Sequence, residues 1–415
     1  MFDVISIASR NLLRYRRRTT LTLLLIVIGM VAVLLFIAVA GSFKSMMIGQ
    51  ITDALIGHVQ VHRKSYVASI DSLPLNLNMR PNILAQLDDK LKANPAIAAW
   101  SPRIKFGGMF SNFAETTSIR INGIDPEREA ATVPLLPGRI TEGSKDGPLV
   151  GRGQILIPQL LARGFKSKLG DTVVVVATNR DGSVNGKTFV VHGIMDGVTG
   201  PGGRDGYIHI DDARELLRMN EAEVSEIAIR LKDFSRLDKV SSQLRTGLES
   251  LTNKEGKPML EVHDWKQLSP FANIANMIDL MTLFIKIMLI SIVLVSVMNV
   301  MIMAVFERIR EIGTIAAIGT PPSRILSLFL AEGLMLGIAG TVVGIVMSLA
   351  GIYGINLWQP TFNFGQQQGL VMAPTIAAGD VLTIAAMVVV VAVIASLQPA
   401  WKASRMDPIS ALRHV

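Results

Sequence analysis

The sequence predicts an α-helical membrane protein with four transmembrane helices and a large α+β extracytoplasmic domain inserted between helices 1 and 2. Half of its 415 residues are hydrophobic and 18% are charged. Such a chain is too apolar for an ordinary soluble protein and too charged for a purely intramembrane one. One long apolar run lies near the start of the chain and three lie in its last third, each long enough to cross a bilayer, whereas residues 43–273 contain none.

The composition also excludes several classes of function. The net charge of +8 comes from basic residues that lie largely beside the apolar runs, which the positive-inside rule explains, so we predict no nucleic-acid partner. The chain contains no cysteine. A thiolate nucleophile, a disulfide and a Cys-ligated zinc site are therefore excluded.

Residues 1–19 have the pattern of an amphipathic helix on the inner leaflet of the membrane. The run that follows is about 20 residues long, or about 30 Å as a helix. A cleaved signal peptide is the alternative, because Ala38-Val39-Ala40 fits a small-x-small cleavage site. The length of the run favours a span. The amphipathic pattern sets Phe2, Ile5, Leu12 and Leu13 against Arg10, Arg14, Arg16, Arg17 and Arg18.

Residues 43–273 alternate between short β-rich and helical segments separated by Gly, Pro, Asn and Asp, which predicts an α+β domain of one or two lobes. Asp211 or Asp212 is available to cap one of its helices. The predicted helices are Pro81–Asn94, Asp211–Met219 and the periodic stretch Asp233–Leu251. The predicted strands are Val173–Ala177, Phe189–Ile194, Tyr207–Ile210 and Glu226–Leu231.

The basic segments at both ends of the chain and after the second span predict that both termini face the cytoplasm and that the inserted domain lies outside it. In a bacterium, this orientation corresponds to an inner-membrane protein with a periplasmic domain. The predicted segments are 1–19, a cytoplasmic amphipathic segment; 20–42, the first span; 43–273, the extracytoplasmic domain; 274–306, the second span; 307–323, a cytoplasmic helix; 324–355, the third span; 356–376, an outer loop; 377–401, the fourth span; and 402–415, a cytoplasmic tail.

Two local patterns resemble chemical sites without satisfying their requirements. Asp181–Thr188, DGSVNGKT, lacks the first glycine of a phosphate-binding loop and is followed by a strand pattern, so we predict the turn of a β-hairpin instead. His58 and His62 lie on a strand pattern, which would separate them by about 13 Å and prevent joint metal binding. The sequence also lacks a Gly-x-Ser-x-Gly or HExxH motif. We therefore expect a protein without catalytic residues.

The predicted spans contain few ionisable residues. Asp279 and Lys286 lie near the outer end of the second span, where their side chains can reach the interface, and Glu332 lies about two turns into the third. A single glutamate is not a proton relay. Glycines at positions 333, 337, 340 and 344 form one face of the third span, which permits close helix packing within the chain or in a dimer.

The short charged segment Phe306–Leu330 lies between the second and third spans. Its charged residues are suited to ion pairs across an interface, and its isoleucines are suited to a hydrophobic cleft. A merely solvated loop would not need those isoleucines. The charged residues are Glu307, Arg308, Arg310 and Glu311, and the isoleucines are Ile312, Ile315 and Ile318.

The stretch ERIREIGTIAAIGTPPSRILSLFLAEGLMLGIAG and the closing PAWKASRMDPISALRHV resemble the permease subunits of one branch of the ABC superfamily. That branch includes the macrolide exporter, the lipoprotein-releasing complex and the cell-division permease. The resemblance implies that Glu307–Gly319, including Gly313, forms a coupling helix that docks into a separate ATPase. It also implies a cytoplasmic ATPase dimer, a second permease copy or paralogue, and mechanotransmission. ATP and Mg²⁺ would be bound by the ATPase and no cofactor by this chain.

GHVQVHRKSY and DGYIHIDDARELL, together with the size of the outer domain, resemble the lipoprotein-releasing permeases most. The resemblance implies that a lipoprotein enters between the first and second spans, with a periplasmic carrier or adaptor as a further partner. One such permease captures the soluble carrier with a long hairpin, and this chain has the short NRDGSVNG in its place. Transfer of a lipoprotein to a carrier at this hairpin is therefore left open. Methionine-rich residues suited to a pliable lipid surface, or to ordinary packing, are Phe43, Met46, Met47, Ile48, Ile51, Met277, Leu280, Met281 and Phe284.

Two other functions remain open within the same branch. A tripartite efflux permease for a drug or peptide would need a periplasmic adaptor and an outer-membrane channel. A regulator of a cell-wall hydrolase would transport nothing, but such permeases usually have a much smaller outer domain. Neighbouring genes for a lipoprotein carrier, an adaptor or a hydrolase would separate the three.

Overall fold

The chain folds into two compact units, which we describe separately. The membrane unit comprises Met1–Ser45, Asn276–Thr361 and Val371–Val415, and the outer unit comprises Met46–Ala275 and Phe362–Leu370. The computed structural model describes residues 7–8, 10–11, 14, 16–143, 147–196, 204–252, 255–364, 367–407 and 411. The apolar residues predicted for the N-terminal amphipathic face, Phe2, Ile5, Leu12 and Leu13, lie outside the described residues, as do 408–410 and 412–415 of the closing motif.

In the part of the chain that the structure describes, four helices are long and apolar enough to cross a membrane: Thr19–Ile56, Phe271–Glu307, Pro322–Trp358 and Ala378–Ser404. They confirm the predicted fold class. The first exceeds the predicted 20–42, because its α-helix continues to Ile51 and a π-helical turn follows. In chain order the α-helices are α1 (Arg16–Ile51), α2 (Pro81–Ala93), α3 (Pro126–Thr132), α4 (Gln159–Phe165), α5 (Ile210–Leu216), α6 (Leu237–Glu249), α7 (Trp265–Leu268), α8 (Phe271–Glu307), α9 (Ile309–Ala317), α10 (Pro322–Trp358) and α11 (Ala378–Ser404).

The core of the membrane unit is built from side chains of all four long helices. Ile26 on α1, Val297 on α8, Phe329 on α10 and Ala392 on α11 are buried in one cluster. Each of these helices is apolar around its circumference, as expected of a helix that meets protein on one side and lipid on the other. A bilayer favours such helices because every backbone polar group is satisfied within the segment.

The outer unit is organised on one ten-stranded mixed sheet in the order β10-β1-β9-β2-β3-β8-β5-β7-β4, with β6 paired to β2 and β7. The pairs β3–β8 and β5–β7 are parallel. The strands are β1 (Val59–Arg63), β2 (Ile97–Ser111), β3 (Thr116–Ile124), β4 (Ile140–Gly143), β5 (Gln154–Pro158), β6 (Thr172–Thr178), β7 (Val184–Met195), β8 (Asp205–His209), β9 (Glu226–Leu231) and β10 (Leu260–Asp264).

Two apolar clusters stabilise this sheet. The larger contains Val61, Phe106 and Phe189, and α2 and α6 pack Leu87 and Leu244 into it. The smaller surrounds Ile124, Leu136 and Tyr207. The sheet is continuous across both clusters. The α+β domain, for which the sequence left one or two lobes open, is therefore built on one sheet.

Most predicted elements of the outer unit are confirmed, including the hairpin of β6 and β7 around the near-phosphate-loop sequence. The predicted cap of α5 is wrong. β8 ends at His209 and the helix begins at Ile210, so the Nδ1 of His209 accepts the hydrogen bond from the backbone N–H of Asp211. Asp211 and Asp212 therefore lie in the first turn of the helix, where their negative charges interact favourably with the positive end of the helix dipole.

The loop predicted at 356–376 contains two short strands. They are β11 (Thr361–Phe364) and β12 (Gln367–Val371), which pair with each other.

Candidate functional site

The short helix α9 lies between the second and third membrane helices and is delimited at both ends by backbone geometry. Arg308 leaves the helical conformation at φ −116° and ψ 16°, which separates α8 from α9. At the other end Gly319 has φ +95°, and the N–H groups of Gly319 and Thr320 bond to the carbonyls of Ala316 and Ile315. This is a Schellman ending, in which glycine supplies the left-handed conformation. The predicted segment 307–323 therefore contains a helix of nine residues.

The two faces of α9 have different surroundings. Ile309, Ile312 and Gly313 are buried, and Ile312 belongs to the core of the membrane unit. In contrast, Ile315 is 40% exposed and Ile318 is 81% exposed. The prediction that Ile312, Ile315 and Ile318 form one docking face is thus corrected, because the helical twist directs Ile312 inward.

The predicted ion pairs of this segment form within the chain. The Nη1 of Arg308 donates to Oε1 of Glu332 at 2.9 Å, and its Nε donates to Oε2 of Glu311 at 3.0 Å. Glu332 is 1% exposed and Arg308 is also buried. Burial of an unpaired charge is unfavourable, so both side chains are held by partners of opposite sign. Arg308 is therefore corrected from an interface residue to an internal one.

The N-terminal segment adds two further contacts to these charges. The Nδ2 of Asn11 donates to Oε1 of Glu332 at 2.8 Å. The Nη1 of Arg14 lies 3.4 Å from Oε1 of Glu311. We call Asn11, Arg14, Arg308, Glu311 and Glu332 the charged cluster. The sequence gives no sign that Asn11 contacts Glu332 or that Arg14 contacts Glu311, because 321 and 297 residues separate these pairs.

The coupling residues that remain exposed are Glu307, Arg310, Ile315, Ile318 and Gly319, and Glu311 is half-buried. These side chains form the candidate docking surface. Glu307 ends α8 and the others lie on α9 or its final turn. Their role as a docking surface stays a prediction.

The glycine face of α10 packs inside the chain. A Cβ on Gly333 would meet Oγ of Ser396 at 2.5 Å, and one on Gly337 would meet Cβ of Ala392 at 2.8 Å, both on α11. Gly340 and Gly344 lie equally close to α1, where a Cβ would be 2.6 Å and 2.7 Å from the nearest side-chain atom. The stripe therefore brings α10 against two helices of the same chain.

Near the predicted outer end of the membrane unit, Lys44 on α1 pairs with Asp279 on α8. The Nζ of Lys44 lies 2.5 Å and 2.6 Å from the two carboxylate oxygens. The sequence predicted that Asp279 reaches the interface, and the structure adds a partner for its charge in Lys44 on α1. Lys286 is partly exposed.

The candidate substrate residues fall into different environments. Met277, Leu280, Met281 and Phe284 are exposed along α8. Met47 and Ile51 are buried in the core of the outer unit, which removes them from any exposed surface in this structure. Phe43, Met46 and Ile48 are partly exposed. A substrate role for the exposed members stays a prediction.

The outer unit holds a buried charge network that the sequence did not indicate. Glu226 on β9 accepts a hydrogen bond from Nη1 of Arg103 at 3.0 Å and lies 2.9 Å from Nζ of Lys105. Arg103 also donates to Glu129 at 3.1 Å, and His62 lies 3.5 Å from Glu226. Burial opposes ionisation of Glu226, but Lys105, His62 and Arg103 outweigh it and hold its pKa well below the usual range.

No metal site is formed by three or more His, Asp or Glu side chains in the part of the chain that the structure describes. His58 accepts a hydrogen bond from the backbone N–H of Leu231 and lies 3.2 Å from Asp53. His62 instead stacks on Tyr66. The two histidines thus face different partners.

Comparison with known proteins identifies two matching family models. Residues 19–246 match the MacB-like periplasmic core domain, and residues 283–408 match the FtsX-like permease C-terminal region. The lipoprotein-releasing system transmembrane protein LolC of Xylella fastidiosa is 24% identical over 440 residues, covering 100% of both chains. The pyoverdine export ATP-binding/permease protein PvdT of Pseudomonas syringae is 26% identical over 99% of this chain and 59% of its own length.

Among solved structures, the periplasmic region of MacB from Actinobacillus actinomycetemcomitans covers 52% of this chain and 94% of that one, with 13% identity and a TM-score of 0.37.

Proposed function

Because the chain belongs to the family of ABC transporter permeases with a MacB-like periplasmic core domain, we propose that it couples ATP hydrolysis on a separate ATPase to the extraction of lipoproteins at the outer face of the inner membrane. The working assembly we propose has two permease chains, alike or paralogous, and a cytoplasmic ATPase dimer. The permease itself carries out no chemistry. Force received by α9 moves the outer unit through the membrane helices.

The observation that carries this proposal is the exposure of Ile318 and Ile315 on a helix whose opposite face is anchored in the membrane unit. Isoleucines exposed at the end of a short, fixed helix are suited to a hydrophobic groove on a partner protein. Glu307 and Arg310 add charge beside them, which favours a defined orientation of the partner.

The choice of lipoprotein is supported by the match to LolC over the whole of both chains. The exposed Met277, Met281 and Phe284 provide a flexible apolar surface on α8 suited to acyl chains. Export of a small molecule is a second candidate, because PvdT matches nearly the whole chain with similar identity.

The docking surface is tested by substituting Ile318 with Asp in the full-length permease and measuring copurification of the ATPase. We expect loss of the ATPase, because a carboxylate would be placed in an apolar groove, while the melting temperature of the permease stays unchanged. The control is Phe234→Asp, which changes an exposed side chain of the outer unit. Leu382→Asp would not serve as a control, because Leu382 is exposed on a membrane helix. Undiminished ATPase binding by Ile318→Asp would contradict the docking surface.

The cargo is tested with the permease–ATPase complex in nanodiscs. We expect a triacylated lipoprotein to stimulate ATP turnover and the same protein without its acyl chains to have no effect. Stimulation by pyoverdine, with no response to the lipoprotein, would favour the exporter.

A further inference from the structure

Both ends of α9 are fixed to the third membrane helix, one by a turn and the other by the charged cluster. The first attachment is the tight turn through Gly319 that leads into α10 at Pro322. The second is the pair of Arg308 and Glu332, which joins the start of α9 to a point ten residues into α10. Ten residues of helix correspond to about 15 Å, which matches the length of α9 itself.

We propose that Arg308 and Glu332 form a rigid joint through which a displacement of α9 is passed to α10. This proposal rests on the proposed function and goes further, because it names the residues that transmit force after the ATPase has docked. Without the ion pair, the start of α9 would be held only by its link to α8 and by apolar packing, which tolerates more movement. With two attachments, α9 and the lower part of α10 move together.

The contacts of Arg308 restrict its side chain. Its guanidinium donates to Glu332 and also lies 5.8 Å from the ring of Phe329, one turn earlier on α10. Charge-assisted hydrogen bonds have narrow geometry, and a guanidinium that stacks on a ring is restricted further. The side chain therefore has little freedom to absorb a movement of α9.

The remaining members of the charged cluster hold the joint from two other sides. Asn11 shares Oε1 of Glu332 with Arg308, and Glu311 in the first turn of α9 accepts from the Nε of Arg308. Arg14 contacts the second oxygen of Glu311. A network with this many partners has one preferred arrangement, which suits a positioning role.

The test uses the absence of native cysteine. Spin labels are attached at Leu283→Cys on α8 and Leu357→Cys on α10, both exposed positions outside the proposed substrate surface. Their distance is measured by pulsed electron paramagnetic resonance in the full-length permease–ATPase complex, without nucleotide and with ATP and vanadate. The variants are Glu332→Gln, which removes one charge, and Arg308→Met with Glu332→Met, which removes both and leaves no uncompensated charge. Lys286→Gln, which removes an ionisable side chain of α8, is the control.

We expect the nucleotide-dependent distance change to fall about threefold in both variants and to be unchanged in the control. Copurification of the ATPase is expected to stay at the wild-type level, which a merely structural loss of the fold would not permit. A full distance change in both variants would overturn the joint alone. Failure of the wild-type chain to retain an ATPase would overturn the proposed function and the joint with it.

Discussion

At the residue scale, Glu226 shows how a buried charge is kept ionised in the outer unit. It is fully buried, yet Arg103 and Lys105 contact the same carboxylate oxygen. Removal of one partner from such a network is strongly destabilising, because the other charges remain buried without compensation. We expect Glu226→Gln to lower the stability of the outer unit by about 3–5 kcal/mol. Hydrogen exchange of the 226–231 peptide in the full-length chain measures this effect, with the exposed Glu115→Gln as control. Equal protection in both variants would contradict it.

Two groups near β1 predict how stability depends on pH. Burial and the neighbouring His62 lower the pKa of His263 below 6.5, so the unfolded chain binds a proton that the folded chain resists. Stability should therefore fall as pH decreases below about 6.5, by up to about 1.4 kcal/mol per pH unit. The depressed pKa of Glu226 preserves its contribution above about 4.5, its ordinary pKa, and this contribution is lost at lower pH.

Thermal unfolding of the full-length chain between pH 7.5 and 3.5 tests both effects. His263→Gln should flatten the decline between pH 6.5 and 5, and Glu226→Gln should flatten the decline below about pH 4.5. An unchanged pH profile in both variants would show that these residues do not control acid stability.

At the element scale, the glycines of α10 set how closely the membrane helices pack. An alanine at Gly337 would place its Cβ 2.8 Å from that of Ala392, so α10 and α11 must separate. Overpacking of this kind costs about 1–3 kcal/mol. We expect Gly337→Ala to lower the melting temperature of the purified permease, whereas Gly354→Ala on the same helix, with no atom within 4 Å of the added Cβ, should not. A similar shift in both variants would indicate loss of glycine flexibility instead of a clash.

The elements also show which features the sequence was able to predict. The four spans and the β6–β7 hairpin follow from apolar length and from turn residues, which are local properties. The direction of Ile312 and the partners of Glu332 depend on how α9 folds against α10, so periodicity alone placed Ile312 on the wrong face. Likewise, the glycine stripe predicted close packing, but only the fold identifies α1 and α11 as the partners.

At the scale of the whole molecule, the proposed function requires α9 and the outer unit to face opposite sides of the membrane. The distribution of basic residues predicts this arrangement, since the loop at 356–376 has no Lys or Arg, whereas the segments before α1 and after α8 are basic. An ATPase is able to reach Ile318 only from the cytoplasm. A lipoprotein at the outer face of the membrane would reach only the side on which the outer unit is predicted to lie.

Single cysteines in the cysteine-free chain test this sidedness directly. Leu160→Cys lies on α4 of the outer unit and Ile318→Cys at the end of α9, and both native side chains are more than half exposed. We expect a membrane-impermeant maleimide to label Leu160→Cys in intact spheroplasts and to label Ile318→Cys only after permeabilisation. The permease is produced without its ATPase, so that both sites stay accessible and a difference in labelling reports the side of the membrane and not burial. Labelling of Ile318→Cys in intact spheroplasts would place α9 outside the cytoplasm and remove the basis for ATPase docking.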